Sequence, residues 1–506
     1  MDNKRIYAIV AAVAVVVHIG ALWNRFAIDD LTIIRANELV HSLDGVWRSF
    51  VMPYWPADLG GRMYRPLVMV TYAIDWWLSG GGAMWFHAVN LLWHALATVV
   101  VAMLARRFVG PMGALAAGLL FAVHPVHVEA IAISVGRNET MAAVFGCLAV
   151  YLALFRQSVG WSAVCFAAGL LAKENAAVVP GLIGLAWLLG FDRPSRRRVL
   201  AHVATWVVVG CLYAAARWAV LHPFSQYSNA GPVFIEQGEV AVRLTAVYAL
   251  SDVFRLLVFP LTLRVDYSPA ERSIVLSPFD GRFLIGLACL ALWAALLVLA
   301  WRRGRRVEAF GLGWVGIAFL PVANLLFPIG VLVAERALYL PSVGLVLAAG
   351  ALLERLEQRR YWMLLLVLVA AGAVRSALRV PVWRSDSTVT LSILEDSPRS
   401  YVGPFWTGAL LLSSNQPEKA LRAYQESITI FDRASIVYMG AAAAAFATHQ
   451  PALANTYLQR ADRFCRGCAG LYRAEANRAL TRGDSATADS LLVRARRMDS
   501  RRSSHP

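Results

Sequence analysis

Apolar and polar positions fall in long blocks along this chain. Runs of about 18 to 20 residues with few or no charges recur, the length a helix needs to cross a hydrocarbon core, and short basic or polar stretches separate them. The pattern predicts spans near 6–23, 84–105, 112–124, 138–155, 158–172, 175–191, 199–220, 282–300, 309–327, 338–354 and 361–380. The expected fold is therefore all-α, a polytopic membrane protein of about 11 transmembrane helices. Segment 242–262 is apolar but interrupted by Arg243, Asp252 and Arg255, so it reads as a re-entrant or interfacial helix packed against protein.

After Arg379 the apolar runs stop and a different period begins. Pro417, Pro451 and Ser485 align at a spacing of 34, as do Ala420, Ala454 and Ala488, Tyr424, Leu458 and Leu492, and Leu412, Phe446 and Leu480. This is the tetratricopeptide signature, a helix–turn–helix unit that buries its apolar face by stacking on its neighbours. The predicted organisation is a transmembrane domain over 1–380, a linker over 381–398 and about three repeats forming an α-solenoid over 399–506.

Composition and charge narrow the function. The chain has 506 residues, is 58% hydrophobic and 16% charged, and carries a formal net charge of +16. In a soluble protein that charge would suggest nucleic acid. Here the arginines sit between apolar runs, at Arg106 and Arg107, Arg156, Arg193 to Arg198, Arg302 to Arg306 and Arg355 to Arg360, where they hold loops on the cytoplasmic side; no nucleic-acid partner is expected. Ile6 to Trp23 is long enough to remain as a span rather than a cleaved signal. The chain then starts inside and ends outside, with the repeats in the periplasm of a bacterial cell as a multi-pass inner-membrane protein.

That orientation gathers the unusual polar residues on the outer face. They are Asp29, Asp30, Arg65 and Asp75, then His124, His127, Glu129, Arg137 and Glu139, then Lys173 and Glu174, and finally Glu335 and Arg336. Charged groups near a membrane interior are costly and face a cavity or a partner, so the gathering marks a site. Asp29 or Asp30 suits a general base that takes a proton from an acceptor hydroxyl. The other would orient a neighbour or cap a helix beginning near Leu31. Arg65, Arg137, Lys173 and Arg336 suit the phosphate of a leaving group, Arg336 and Lys173 above all. The alternative for those two is an internal pair, Lys173 with Glu174 and Arg336 with Glu335. His124, His127 and Glu129 have metal-like spacing, but Pro125 breaks the helix between the histidines, and no metal or other cofactor is expected.

Trp47, Trp55, Trp76, Trp77 and Trp85 crowd the first outer loop, as an interfacial belt or a stacking surface for sugar, and Trp76 and Trp77 fall in a stretch expected to lie along the membrane surface. Cys147, Cys165, Cys211 and Cys289 fall in apolar runs as small hydrophobes. Cys465 and Cys468 form a CxxC that an oxidising compartment could close.

Several segments carry a resemblance. FAIDD with Asn37, YRPL (Tyr64 to Leu67), FHAVNLLWHAL (Phe86 to Leu96), LLFAVHPVHVEAIAISVGRNE (Leu119 to Glu139), AKE (Ala172 to Glu174), VRLTAVYAL leading to LRVDYSP (Leu263 to Pro269), and ERALYLPSVG (Glu335 to Gly344) resemble, in order, the transmembrane and tetratricopeptide repeat-containing protein family. The resemblance implies a glycosyltransferase of the GT-C superfamily that uses a lipid-phosphate-linked sugar as donor and a catalytic carboxylate in the first external loop. Animal members are O-mannosyltransferases using dolichyl phosphate mannose; a bacterial source, suggested by the Ala- and Arg-rich composition, implies a carrier such as undecaprenyl phosphate. The acceptor would be a protein or glycan hydroxyl, with a protein partner on the repeats. Asp29 and Asp30 would be catalytic, Arg65, Arg137, Lys173 and Arg336 would hold the donor phosphate, and His124, His127, Glu129, Glu174, Glu335 and Tyr339 would support them. Two other classes stay open: a transporter of a lipid-linked precursor, against which stands the lack of an evident inverted repeat, and a scaffold that anchors the repeats.

Overall fold

The structure, a computed structural model, describes residues 2–56, 63–222, 232–464, 469–481 and 483–503. Among these residues all regular structure is helical. By length and composition, seven helices can cross a membrane: Asn3–Trp23, Ala83–Ala105, Ser134–Phe155, Arg196–Leu221, Gly281–Arg302, Glu335–Leu353 and Gln358–Arg384. Pro111–Ala122 and Pro125–Ala132, bent by 48°, make an eighth if they are one span. The eleven expected from the sequence exceed this because several apolar stretches are broken. Lys173 is extended, φ −160° and ψ 139°, and divides Val159–Ala172 from Glu174–Leu188. Arg306–Phe319 has 14 residues and gives way to a 3₁₀ turn containing Pro321. The piece around 242–262 is the helix Glu239–Val258, pinned by Arg243 to the carbonyls of Asn324 and Leu326 at 3.1 Å each.

Burial separates central from peripheral helices. Ser134–Phe155 and Glu335–Leu353 have 72% of their apolar window buried, whereas Arg196–Leu221 has 6% and Gly281–Arg302 has 11%, which turns the latter two outward to lipid. The centre is tightly apposed. Gly311 and Gly344 lie so close that a Cβ on either would collide with the carbonyl of the other.

The basic turns meet at one end of the bundle. Phe108, which follows Arg106 and Arg107, packs edge-on against Phe155 and Phe191 and also against Phe310, and the Arg107 guanidinium covers the Phe155 ring. Arg355 pairs with Glu308 at 2.8 Å, and Glu354 accepts the free amides of Gly110 and Gly113, at 2.8 and 3.1 Å, that open the helix Pro111–Ala122.

At the C-terminal side stand three helix pairs: Val402–Ser413 with Pro417–Ile430, Ser435–Ala447 with Pro451–Phe464, and Ala469–Thr481 with Ser485–Ser503. The second helix of each pair begins at Pro417, Pro451 and Ser485, the positions picked out by the sequence period. They share one core in which Ala420, Ala454 and Ala488 are fully buried. Cys465 and Cys468 lie outside the described residues.

Residues 381–398, expected as a linker, carry regular structure of their own. A 3₁₀ turn, Val380–Arg384, leads to the helix Asp386–Asp396, which starts with a capping box between Ser385 and Thr388. Trp383, Val389 and Ile393 are buried in the same core as Ile33, Ile34, Tyr54 and Val68, from the segment that follows the first candidate span.

Candidate functional site

Beyond the turn Ile19–Trp23 the chain becomes extended, and Asn24 anchors it by donating from Nδ2 to the Ala132 carbonyl at 3.0 Å. Ile28 then adopts φ 51°, a left-handed conformation uncommon for a β-branched residue. This reversal delivers Asp29 and Asp30 to the start of a one-turn π-helix, Leu31–Arg35, that buries Ile33 and Ile34.

The two carboxylates then part. Asp30 is 0% exposed, and its Oδ2 and Oδ1 accept the amides of Ser134 and Val135 at 3.1 and 2.8 Å. It makes no capping bond to its own turn. Burial pushes its carboxyl up to about 7, against the backbone amides, which favour the charged form. Asp29 is half-buried, and its charge bears on Arg336 and Tyr54 as well as on Asp30.

The expected cations are gathered at this same end of the bundle, each with a carboxylate from a distant segment. Arg65 grips Glu174 through Nε and Nη2 at 3.2 and 2.8 Å. Lys173 pairs with Glu139. Arg336 gives its backbone amide to Glu129 Oε2 at 2.8 Å and its Nη1 to Oε1. Glu335 accepts the Arg264 amide at 2.5 Å and the Tyr267 hydroxyl at 3.0 Å. The sequence-adjacent pairs, Lys173 with Glu174 and Arg336 with Glu335, are thereby replaced by ties across segments. The reason is geometric: successive residues at the extended breaks before Glu174 and Glu335 face different ways.

Arg137, expected among the phosphate-holding cations, is enclosed by protein partners. It is 0% exposed, pairs with Asp75 at 2.5 Å, and donates to Asn90, Thr71 and the Phe86 carbonyl at 2.8, 3.0 and 3.1 Å, with Tyr72 across its face at 4.8 Å. Arg65 and Lys173 are nearly as enclosed, whereas the Arg336 side chain is 40% exposed. Arg336 lines a cavity of about 180 Å³ together with Val265 to Pro269, Gly330 to Ala334 and Tyr401, the residue that precedes the helix Val402–Ser413.

The histidines go to packing. His124 Nε2 lies 3.1 Å from the Leu257 carbonyl and His127 Nε2 lies 2.8 Å from the Ser342 hydroxyl, while Glu129 is taken by Arg336. Tyr339 joins them, its hydroxyl 2.7 Å from Nδ1 of His94. Trp76 stacks on His41 at 3.7 Å, and Trp85 donates to Asp75 at 3.1 Å, while Trp47 and Trp77 are exposed. Sequence reasoning missed Asp75 and Glu139 as the carboxylates that occupy Arg137 and Lys173; both stood among the polar residues singled out, but pairing across so many residues leaves no local signal.

No family model matches the chain. It is similar to the Mus musculus "Protein O-mannosyl-transferase TMTC3", 25% identical over 84% of this chain and 51% of that protein. The Homo sapiens "Protein O-mannosyl-transferase TMTC4" is 28% identical over 82% of this chain and 65% of that protein. The chain thus spans between half and two thirds of the length of these relatives. Two solved structures also resemble it: ArnT from Cupriavidus metallidurans bound to undecaprenyl phosphate, 18% identical over 93% of this chain and 79% of that one, TM-score 0.44, and the Archaeoglobus fulgidus oligosaccharyltransferase, 13% identical over 75% and 55%, TM-score 0.38. Over about four fifths of its length the chain is thus similar in sequence to proteins named as protein O-mannosyl-transferases.

Proposed function

We propose that this chain is a membrane glycosyltransferase that moves a hexose, mannose by analogy with its relatives, from a polyprenyl phosphate carrier to the hydroxyl of a protein or glycan on the non-cytoplasmic face. The observation that carries the reading is the division of labour at Asp29 and Asp30. One carboxylate is sealed against backbone amides, and its neighbour is left half-buried beside it. In the proposed reaction the acceptor hydroxyl gives its proton to Asp29 as its oxygen bonds to the sugar anomeric carbon. The bond from that carbon to the phosphate oxygen breaks, and the electron pair leaves with the polyprenyl phosphate. Arg336, the most accessible of the expected cations, meets the growing phosphate charge, and the reaction needs no metal.

On this reading residues 1–380 form the GT-C-type catalytic domain in a bacterial inner membrane. The three helix pairs are tetratricopeptide repeats on the periplasmic side that present an acceptor or partner. Mass spectrometry of glycoproteins and surface glycans from cells with and without the protein tests this. Loss of one hexose from a defined product is expected without it. Unchanged glycans together with loss of a protein complex would point instead to a scaffold, and accumulation of a lipid-linked precursor to a transporter.

A further inference from the structure

The residue that sets the catalytic turn comes from the far end of the transmembrane domain. Ile28, immediately before Asp29, is held at φ 51°, where a side chain branched at Cβ meets steric resistance. Its amide donates to Oδ1 of Asp386 at 2.7 Å, across 358 residues of chain. Three residues earlier, the Arg25 amide donates to the Arg384 carbonyl at 2.9 Å. Asp386 opens the helix Asp386–Asp396, which is fixed by its capping box and by burial of Val389 and Ile393 beside Ile33 and Ile34. The same segment leads directly to the repeats, and on the way Ser397 and Ser400 bond to the carbonyl and carboxylate of Asp266 at 2.9 and 2.7 Å.

We propose that Asp386 is a positioning residue for Asp29: by accepting the Ile28 amide it holds the turn in its left-handed form, and so aims the neighbouring carboxylate at the side of the site where Arg336 lies. The role is geometric rather than electrostatic. An acceptor oxygen is required at that point, and a negative charge is not. The proposal rests on the reading of Asp29 as the base. It also makes the helix that bears the repeats part of the catalytic apparatus, because the turn cannot keep its form if that helix is displaced.

The test compares Asp386→Asn, Asp386→Glu and Asp386→Ala in the full chain reconstituted in lipid. Asparagine keeps an acceptor oxygen in place without the charge, and glutamate keeps the charge and the favourable carboxylate at the helix start but moves the oxygen. With a polyprenyl phosphate mannose donor, Asp386→Asn is expected to keep kcat within about twofold of wild type, whereas Asp386→Glu and Asp386→Ala lower it by roughly 10- to 100-fold with little change in donor KM. Amide hydrogen exchange of residues 26–31 gives a readout that needs no activity. Protection should persist in Asp386→Asn and fall in the other two. Equal kcat in all three variants, equal loss in Asp386→Asn and Asp386→Glu, or unchanged exchange in Asp386→Glu would overturn the proposal. If wild type transfers no sugar, the enzyme reading fails, and the exchange comparison still decides whether Asp386 sets the turn. Should Asp386→Ala not fold, the asparagine and glutamate variants carry the comparison.

Discussion

Asp30 accepts the backbone amide of Val135 at 2.8 Å across 105 residues of chain, and so ties the segment after the first candidate span to the start of a central one. An alanine there strands two buried amides, each costing about 1–3 kcal/mol. Asp30→Ala should therefore lose transfer through loss of folded protein. Asp29→Asn should keep a melting temperature close to wild type. Thermal stability by fluorescence-detected size exclusion separates the two, and equal destabilisation by both changes would count against distinct roles.

The same carboxyl gives a pH signature. Its value in the fold, about 7, stands above the ordinary 3.8 because burial disfavours the charge. Protonation therefore favours the folded state: the contribution is complete below about pH 4 and is lost progressively as pH rises through 7. Melting temperatures measured between pH 4.5 and 8 should fall more steeply for wild type than for Asp30→Asn, which has no proton to lose. Parallel curves would show that Asp30 does not titrate with folding.

The four cations expected to hold phosphate should behave differently from one another. Arg137→Ala leaves Asp75 buried without its partner, at a cost of about 3–5 kcal/mol, and should reduce the yield of folded protein. Arg336→Ala removes a partly exposed guanidinium, leaves Glu129 the backbone amide of residue 336 at 2.8 Å, and should raise donor KM by about tenfold or more with a smaller loss of folded yield than Arg137→Ala. A steady-state comparison of donor KM with folded yield checks both. A raised KM at normal yield in an Arg137 variant would restore that residue to the phosphate site.

Much of this was legible in the chain and some could not be. Apolar run length marked the long apolar helices but not their breaks, and a period of 34 placed Pro417, Pro451 and Ser485 at the start of the second helix of each pair, because both signals are local and repeat. The outer collection of charges was visible too. Its wiring was not: Lys173 chose Glu139 over Glu174, and Arg336 chose Glu129 over Glu335, because the backbone at each break points neighbours in different directions. The helix Asp386–Asp396 read as a linker because its apolar residues are few; the fact that Val389 and Ile393 meet Ile33 and Ile34 is a tertiary fact.

The crossing of Arg306–Phe319 with Tyr339–Leu353 offers a test of the scaffold itself. Gly344→Ala places a methyl group against the Gly311 carbonyl, and forcing extra volume into so close a contact costs about 1–3 kcal/mol. Heat inactivation should come at lower temperature, and because Glu335 and Arg336 precede that helix directly, donor KM should rise as well. An unchanged melting temperature would mean that the helices can part without cost.

The central claim is that Asp29 takes the acceptor proton as sugar leaves its lipid phosphate. Release of polyprenyl phosphate from polyprenyl phosphate mannose, measured in proteoliposomes with a hydroxyl-bearing acceptor, tests it most directly. Wild type should release the carrier in step with glycosylation of the acceptor, and Asp29→Asn, folded to the same extent, should be slower by about 10²- to 10⁴-fold. Release by Asp29→Asn at the wild-type rate would contradict the account.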